Sequence, residues 1–123
     1  MEEQTKKMIS TSLAAAFMDA FSALQLEAWS NAKSKGFWDK ELNDAEQLAL
    51  MHSEISEALE YMRHGNPPDD KIPQFSGLEA ELADVIIRIM SYAGVKGLRI
   101  ASAIVAKMEY NSTRPHMHGG KEF

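Results

Sequence analysis

Two pairs of acidic residues are the part of this sequence best suited to chemistry. Glu54 and Glu57 occur in EISE, and Glu81 and Asp84 occur in ELAD, so each pair is separated by three positions. On a helix, residues three apart lie on one face with Cβ atoms about 5–6 Å apart. Two like charges 4 Å apart repel by about 4 kcal/mol at an effective dielectric near 20. Four converging carboxylates therefore indicate a multivalent cation between them.

The segment around the second pair strengthens this interpretation. Its other residues are almost all apolar, so we expect a helix that is buried on most sides. The polar exceptions Glu81, Asp84 and Arg88 fall at i, i+3 and i+7, which is a single stripe. Buried acids are normally paired or bound to a metal. Carboxylate oxygens suit magnesium, manganese or calcium, and magnesium often bridges to substrate phosphates.

The length, amino-acid composition and net charge of the chain exclude several classes of function. The chain has 123 residues with 45% hydrophobic and 25% charged residues, which fits one globular domain spanning 1–123. The net charge of −5 argues against a nucleic-acid-binding surface, and the lack of cysteine excludes disulfides and thiolate metal sites. The run after Lys6 and Lys7 resembles a signal peptide only superficially, and no window suits a membrane span. We expect a cytoplasmic protein.

Periodicity predicts an all-α, four-helix bundle-like fold. The helices are expected at about 10–35, from an Asn43 N-cap to about 63–65, from 77 to about 93, and at about 98–113. Positions 66–75 are expected to form an exposed loop and 115–123 a flexible tail. Each helix has an apolar stripe predicted to face the core, and in the second helix this stripe comprises Leu48, Met51, Ile55, Leu59 and Met62.

Other residues could contact a ligand. Lys107, Asn111 and Arg114 share one face of the last helix and suit phosphate oxygens, although such a stripe is more often only solvated. Lys121 lies in the tail, which could close over a ligand or simply fray. Trp38 could stack on a flat ring, although core packing is the commoner role of tryptophan. His52 is expected to be structural, since the predicted metal site is oxygen-rich.

With these residues in place, the sequence resembles a known family. EISE, a gap of 23 residues and ELAD are similar to the ExxE and ExxD pattern of the MazG-like all-α nucleoside triphosphate pyrophosphohydrolases. The ending KMEYNSTRP resembles the phosphate-binding end of the related dCTP/dUTP pyrophosphatases, and Trp38 lies where relatives place a base-stacking tryptophan. The resemblance extends from about Trp29 to Arg114.

The resemblance implies a MazG-type fold and magnesium-dependent hydrolysis of a (deoxy)nucleoside triphosphate to the monophosphate and pyrophosphate, with manganese able to substitute. It implies housecleaning of the nucleotide pool and assembly as a homodimer or homotetramer that completes the fold. By the same resemblance, the four acids hold metal and Lys107, Asn111, Arg114 and Lys121 bind phosphates. Arg88 could contact phosphate or pair with an acid, and pairing is slightly favoured.

Two other functions fit a helical bundle rich in acids. A di-iron carboxylate oxidoreductase requires Glu-x-x-His from two helices, and no glutamate here has a histidine three residues later. A non-catalytic regulatory or assembly module could retain the divalent-metal site without the chemistry. Release of pyrophosphate from nucleotides in the presence of magnesium distinguishes these alternatives.

Overall fold

The computed structural model describes residues 9–114 and contains four helices. They are α1 (Thr11–Ser34), α2 (Asp44–Arg63), α3 (Gly77–Lys96) and α4 (Ile100–Ser112). Within residues 9–114 no strand forms, and the only β-type pairing there is an isolated bridge between Pro68 and Ser76. The all-α prediction is confirmed, and each helix begins and ends within about three residues of its predicted limits.

Local sequence signals account for the ends of these helices. The Asn43 side chain accepts a hydrogen bond from the backbone of Glu46, as expected of an N-cap. Ser76 and Glu79 form a complete capping box at the start of α3. Gly97 ends α3 with φ of 70°, in the left-handed region that a side chain with a Cβ disfavours.

The described part of the chain divides into two compact units, one formed by 24–98 and the other by 9–23 with 99–114. In the first unit, α2 and α3 run antiparallel, as the contact between the start of α2 and the end of α3 shows. The Tyr92 hydroxyl donates a 2.6 Å hydrogen bond to Asp44, and Lys96 approaches the same carboxylate at 3.2 Å. At the opposite end, Gly77 packs so closely under the Tyr61 ring that a Cβ there would overlap it.

The core of this unit is built from small residues. Ala58 of α2 and Ala80, Met90 and Ala93 of α3 are buried, together with two acids and Ser91. Trp29 packs against Gly94, where a Cβ would again overlap the indole. Small side chains let the helix backbones approach closely, so buried polar groups on facing helices come within reach of one another.

In the second unit, the described parts are α4 and the first half of α1. They line an apolar pocket of about 200 Å³, and Ser102 lies 3.6 Å from the sulfur of Met18. Ala101 is buried, and the rings of Phe17 and Phe21 lie 5.4 Å apart.

The predicted core stripes are wrong in important places. Four of the five residues assigned to the α2 stripe are half exposed, and the helix instead buries Glu54 and Ala58. In α3, which we expected to be buried on most sides, Leu82, Ile86 and Ile87 are 45–50% exposed. The α1 helix buries none of its residues, although an apolar stripe on it was predicted to face the core, and Leu13 and Leu24 are exposed.

No single helix among residues 9–114 is long and apolar enough to cross a membrane. Two successive helices, α3 and α4, reach the required length and composition only when they are taken together across the break between them.

Candidate metal centre

The acids of α2 and α3 meet where these two helices pack. Glu54, Glu81 and Asp84 each offer one carboxylate oxygen, and the three oxygens lie within 4.8 Å of one another. Glu54 and Glu81 are each only 8% exposed, whereas Asp84 is exposed. The predicted convergence of acids from the two helices is therefore confirmed for these three residues.

The fourth acid, Glu57, joins the group through Glu81. Its side chain is exposed, and its carboxyl group contributes, after burial, to the raised pKa of Glu81. Without a cation, this crowding favours the protonated form of Glu81.

Burial and crowding raise the pKa values of the two buried acids of the cluster. Burial, followed by the hydrogen bond and charge of Glu57 and the charge of Glu54, raises the pKa of Glu81 to about 8. Burial also raises the pKa of Glu54, and the nearby Arg88 guanidinium opposes that rise. The Arg88 Nε atom lies 3.6 Å from a Glu54 oxygen. Pairing of Arg88 with an acid, the slightly favoured prediction, agrees with this geometry.

The donor set fits a hard divalent cation. All the converging atoms are carboxylate oxygens, which magnesium, manganese and calcium prefer, and no cysteine is available to favour a softer metal. His52 is exposed and is not among the residues whose ligand atoms converge. A cation would also relieve the repulsion that otherwise keeps a proton on Glu81.

A pocket of about 420 Å³ opens beside the acids within the same unit. Arg88 lines it and also pairs with Glu54, so the pocket and the acids share a side chain. The Trp38 ring forms one wall, and its Nε1 atom donates a 3.0 Å hydrogen bond to Ser91. The polar groups along the apolar walls come from Asn31, Gln47, Ser91 and Arg88.

Sequence reasoning missed three of these pocket residues: Asn31, Gln47 and Ser91. They lie on three different helices, so no local spacing connects them, and each is an unremarkable polar residue within its own segment. Trp38 was singled out as a possible stacking surface and because it lies where relatives of the MazG-like family place a base-stacking tryptophan. It is half-buried and hydrogen-bonded, and it lines an open pocket. Stacking on a base stays a prediction.

Three of the predicted phosphate-binding residues, Lys107, Asn111 and Arg114, lie in the other unit. Lys107 and Asn111 are exposed on α4, and the Lys107 ammonium lies 5.7 Å from the Tyr110 ring centre. Arg114 is the last described residue, and its backbone donates to the Asn111 carbonyl at 3.2 Å. Lys121 and the predicted flexible tail lie outside the described residues. A phosphate-binding role for all four residues stays a prediction.

Comparison of the chain with models of protein families, with curated proteins and with solved structures found no match.

Proposed function

We propose that this chain is a magnesium-dependent hydrolase that converts a (deoxy)nucleoside triphosphate to the monophosphate and pyrophosphate. The observation that carries the proposal is the convergence of carboxylates from α2 and α3 beside a pocket with an aromatic wall. The resemblance of EISE and ELAD to the MazG-like pyrophosphohydrolases supports the same reaction. Manganese is expected to substitute for magnesium, since both accept oxygen ligands.

Each part of the site suits one part of such a substrate. The pocket lies within the roughly 300–1,000 Å³ typical of small-molecule sites. Its apolar walls and the Trp38 ring suit a nucleobase, and the amides of Asn31 and Gln47 offer donors and acceptors to a base edge. Because Arg88 links the pocket to the acids, a base held in the pocket places its phosphates toward the acidic cluster.

The four acids would hold the cation, which supplies charge neutralisation of the phosphate oxygens and a lowered pKa for water. The Arg88 charge opposes the rise that burial causes in the pKa of Glu54, and so favours the ionised carboxylate that a cation requires as a ligand. Glu57 is exposed and close to Glu81, and it is the acid best placed to accept a proton from an attacking water. The two buried acids hold the arrangement in place.

The decisive experiment is product identification with a panel of canonical and modified nucleotides in the presence of magnesium. We expect monophosphate and pyrophosphate in equal amounts. Glu57→Gln and Asp84→Asn should each lower kcat/KM by roughly 100-fold or more, since each removes a charged oxygen at the reacting centre. Glu60→Gln is the matched control, because Glu60 is an exposed acid on the same helix that pairs with Arg63 and His64, away from the other acids.

The outcomes separate the alternatives. Diphosphate and inorganic phosphate as products would contradict cleavage between the α and β phosphates. Full activity of folded Glu57→Gln and Asp84→Asn proteins would contradict the metal assignment. Magnesium binding without hydrolysis of any nucleotide would favour the non-catalytic regulatory or assembly module.

A further inference from the structure

A second pocket, of about 290 Å³, lies beyond the acids along α2 and is here called the Tyr61 pocket. The pocket walled by Trp38 includes Gln47 and Leu50, which precede Glu54 on the same helix. The Tyr61 pocket is formed by residues that follow Glu54, together with one residue of the next loop: Glu57, Glu60, Tyr61, His64 and Pro67. The acids of α2 therefore lie between two pockets, and Glu57 belongs to the second of them.

The position of the Tyr61 ring is set by its packing. Tyr61 follows Glu57 by four residues, so the two side chains lie on one face of α2. On α3, Gly77 packs so closely against the ring that it leaves no room for a Cβ. The Gly77 backbone nitrogen in turn donates a 2.8 Å hydrogen bond to the Pro67 carbonyl. The ring is thus supported by backbone rather than by a mobile side chain, as a group that orients a reactant requires.

The charges near Tyr61 favour water over phosphate as the occupant of this pocket. Burial raises the pKa of the Tyr61 hydroxyl, and so do the charges of four carboxylates: Asp69, Asp70, Glu81 and Glu57. The phenol therefore stays neutral, and its oxygen can accept a hydrogen bond from water. The same carboxylates repel the phosphate chain of a nucleotide, whereas a water molecule can donate hydrogen bonds to them.

The other polar side chains of the pocket already have partners. Glu60 pairs with Arg63 at 3.2 Å and with His64 at 3.5 Å. The His64 Nδ1 atom also lies 2.9 Å from the Glu60 carbonyl oxygen. The Glu57 carboxylate and the Tyr61 hydroxyl are the polar groups of the pocket that adjoin the acidic cluster. Because a bound water typically makes about three hydrogen bonds, these two groups supply most of what one water needs.

We propose that the Tyr61 hydroxyl positions the water that attacks the α phosphorus, an assignment that rests on the proposed function. As the water oxygen bonds to phosphorus, one of its protons passes to Glu57. The bond from phosphorus to the bridging oxygen breaks, and its electron pair leaves on pyrophosphate. The second O–H of the water donates a hydrogen bond to the Tyr61 oxygen, and Tyr61 keeps its own proton. The site thus includes a residue that belongs to neither EISE nor ELAD.

Tyr61→Phe tests the proposal, because it removes the hydroxyl and keeps the ring that packs on Gly77. With nucleotide and magnesium, we expect kcat to fall by roughly 10-fold or more, since a poorly oriented water reacts more slowly. KM should stay within about twofold, because nucleotide binding is not weakened. The magnesium dissociation constant and the urea unfolding midpoint should match those of the wild type, since the four acids and the ring remain. A purely structural role would instead lower the midpoint.

Tyr92→Phe is the matched control. It removes a hydroxyl from the same pair of helices, but that hydroxyl donates to Asp44 at the start of α2, away from the Tyr61 pocket. Its kcat and KM should equal those of the wild type. Gly77→Ala supplies a second variant, because it keeps the Tyr61 hydroxyl but displaces the ring, and it should also lower kcat.

The outcomes distinguish this proposal from the proposed function. Full kcat of Tyr61→Phe beside an active wild type, or an equal loss in Tyr92→Phe, would overturn the role of Tyr61 and leave the proposed function standing. A higher KM at unchanged kcat would make Tyr61 a substrate-binding residue and would also overturn that role. A wild-type chain that hydrolyses no nucleotide would overturn both.

Discussion

Replacing Glu81 by glutamine should stabilise the metal-free protein while weakening its function. Glu81 is 8% exposed, and burial together with Glu57 raises its pKa from 4.5 to about 8. Glutamine has nearly the same shape and can donate a hydrogen bond to Glu57 as the protonated acid does. It removes the cost of bringing a fourth negative charge into the cluster, and it also removes a cation ligand.

The sign of the pH dependence follows from linkage. Between pH 4.5 and about 8, the unfolded chain releases the Glu81 proton while the folded chain retains it. Ionisation then favours unfolding, so the stability contributed by this group is present at low pH and is lost as the pH rises through this window. From pH 5 to pH 8 we expect the metal-free protein to lose about 3 kcal/mol, at 1.36 kcal/mol per pKa unit. Glu54, whose pKa is also raised by burial, acts in the same direction.

Urea denaturation followed by circular dichroism at pH 5, 6.5 and 8, in EDTA and in magnesium, measures these quantities. In EDTA, wild-type stability should fall with pH, whereas that of Glu81→Gln should change far less. Magnesium should make the free energy of unfolding of the wild type depend less on pH, because a ligand that binds only the folded state stabilises that state. It should stabilise Glu81→Gln less, since this variant lacks one of the ligands. Glu60→Gln should follow the wild type. A flat wild-type profile in EDTA, or an equally steep one for Glu81→Gln, would show that the acids do not crowd as inferred.

Two further predictions concern packing and the pocket. Gly77→Ala should lower the free energy of unfolding by about 1–3 kcal/mol, since a methyl group there would displace the Tyr61 ring. Thermal denaturation measures this loss, and an unchanged Tm would contradict the close packing. Trp38→Ala should raise KM for nucleotides by at least about tenfold through lost stacking, with the circular dichroism spectrum unchanged. Ser91→Ala, which removes only the hydroxyl that accepts from Trp38, should alter KM much less, and equal effects of the two substitutions would argue against base stacking.

The fold was largely predictable because its boundaries are encoded locally. Asn43, the Ser76–Glu79 pair and Gly97 each satisfy backbone groups at a helix end within a few residues of sequence. The convergence of the acids was predictable for a related reason. Three-residue spacing places the two acids of each pair on one helix face. Repulsion between these acids indicates that a cation binds between them.

The pocket was not predictable from the sequence, because its polar groups depend on how separate helices pack. Asn31 and Gln47 belong to α1 and α2, and Ser91 reaches Trp38 from 53 positions away. Such contacts form only because the helices pack closely. The small residues Ala80, Ala93 and Gly94 allow this packing, but residues of these types do not indicate a ligand site in a sequence.

The reversal of the α2 core stripe has a physical cause in the candidate metal centre. Hydrophobicity alone assigns Ile55 and Leu59 to the interior, yet the helix turns Glu54 and Ala58 inward and leaves those two residues half exposed. Burying a carboxylate in place of a leucine is unfavourable for an isolated chain, since it costs desolvation and forgoes apolar burial. The arrangement is consistent if a cation binds the acids, because its charge compensates the desolvation that burying Glu54 costs. The α2 helix then gains in the metal-bound state what it lacks in the metal-free chain.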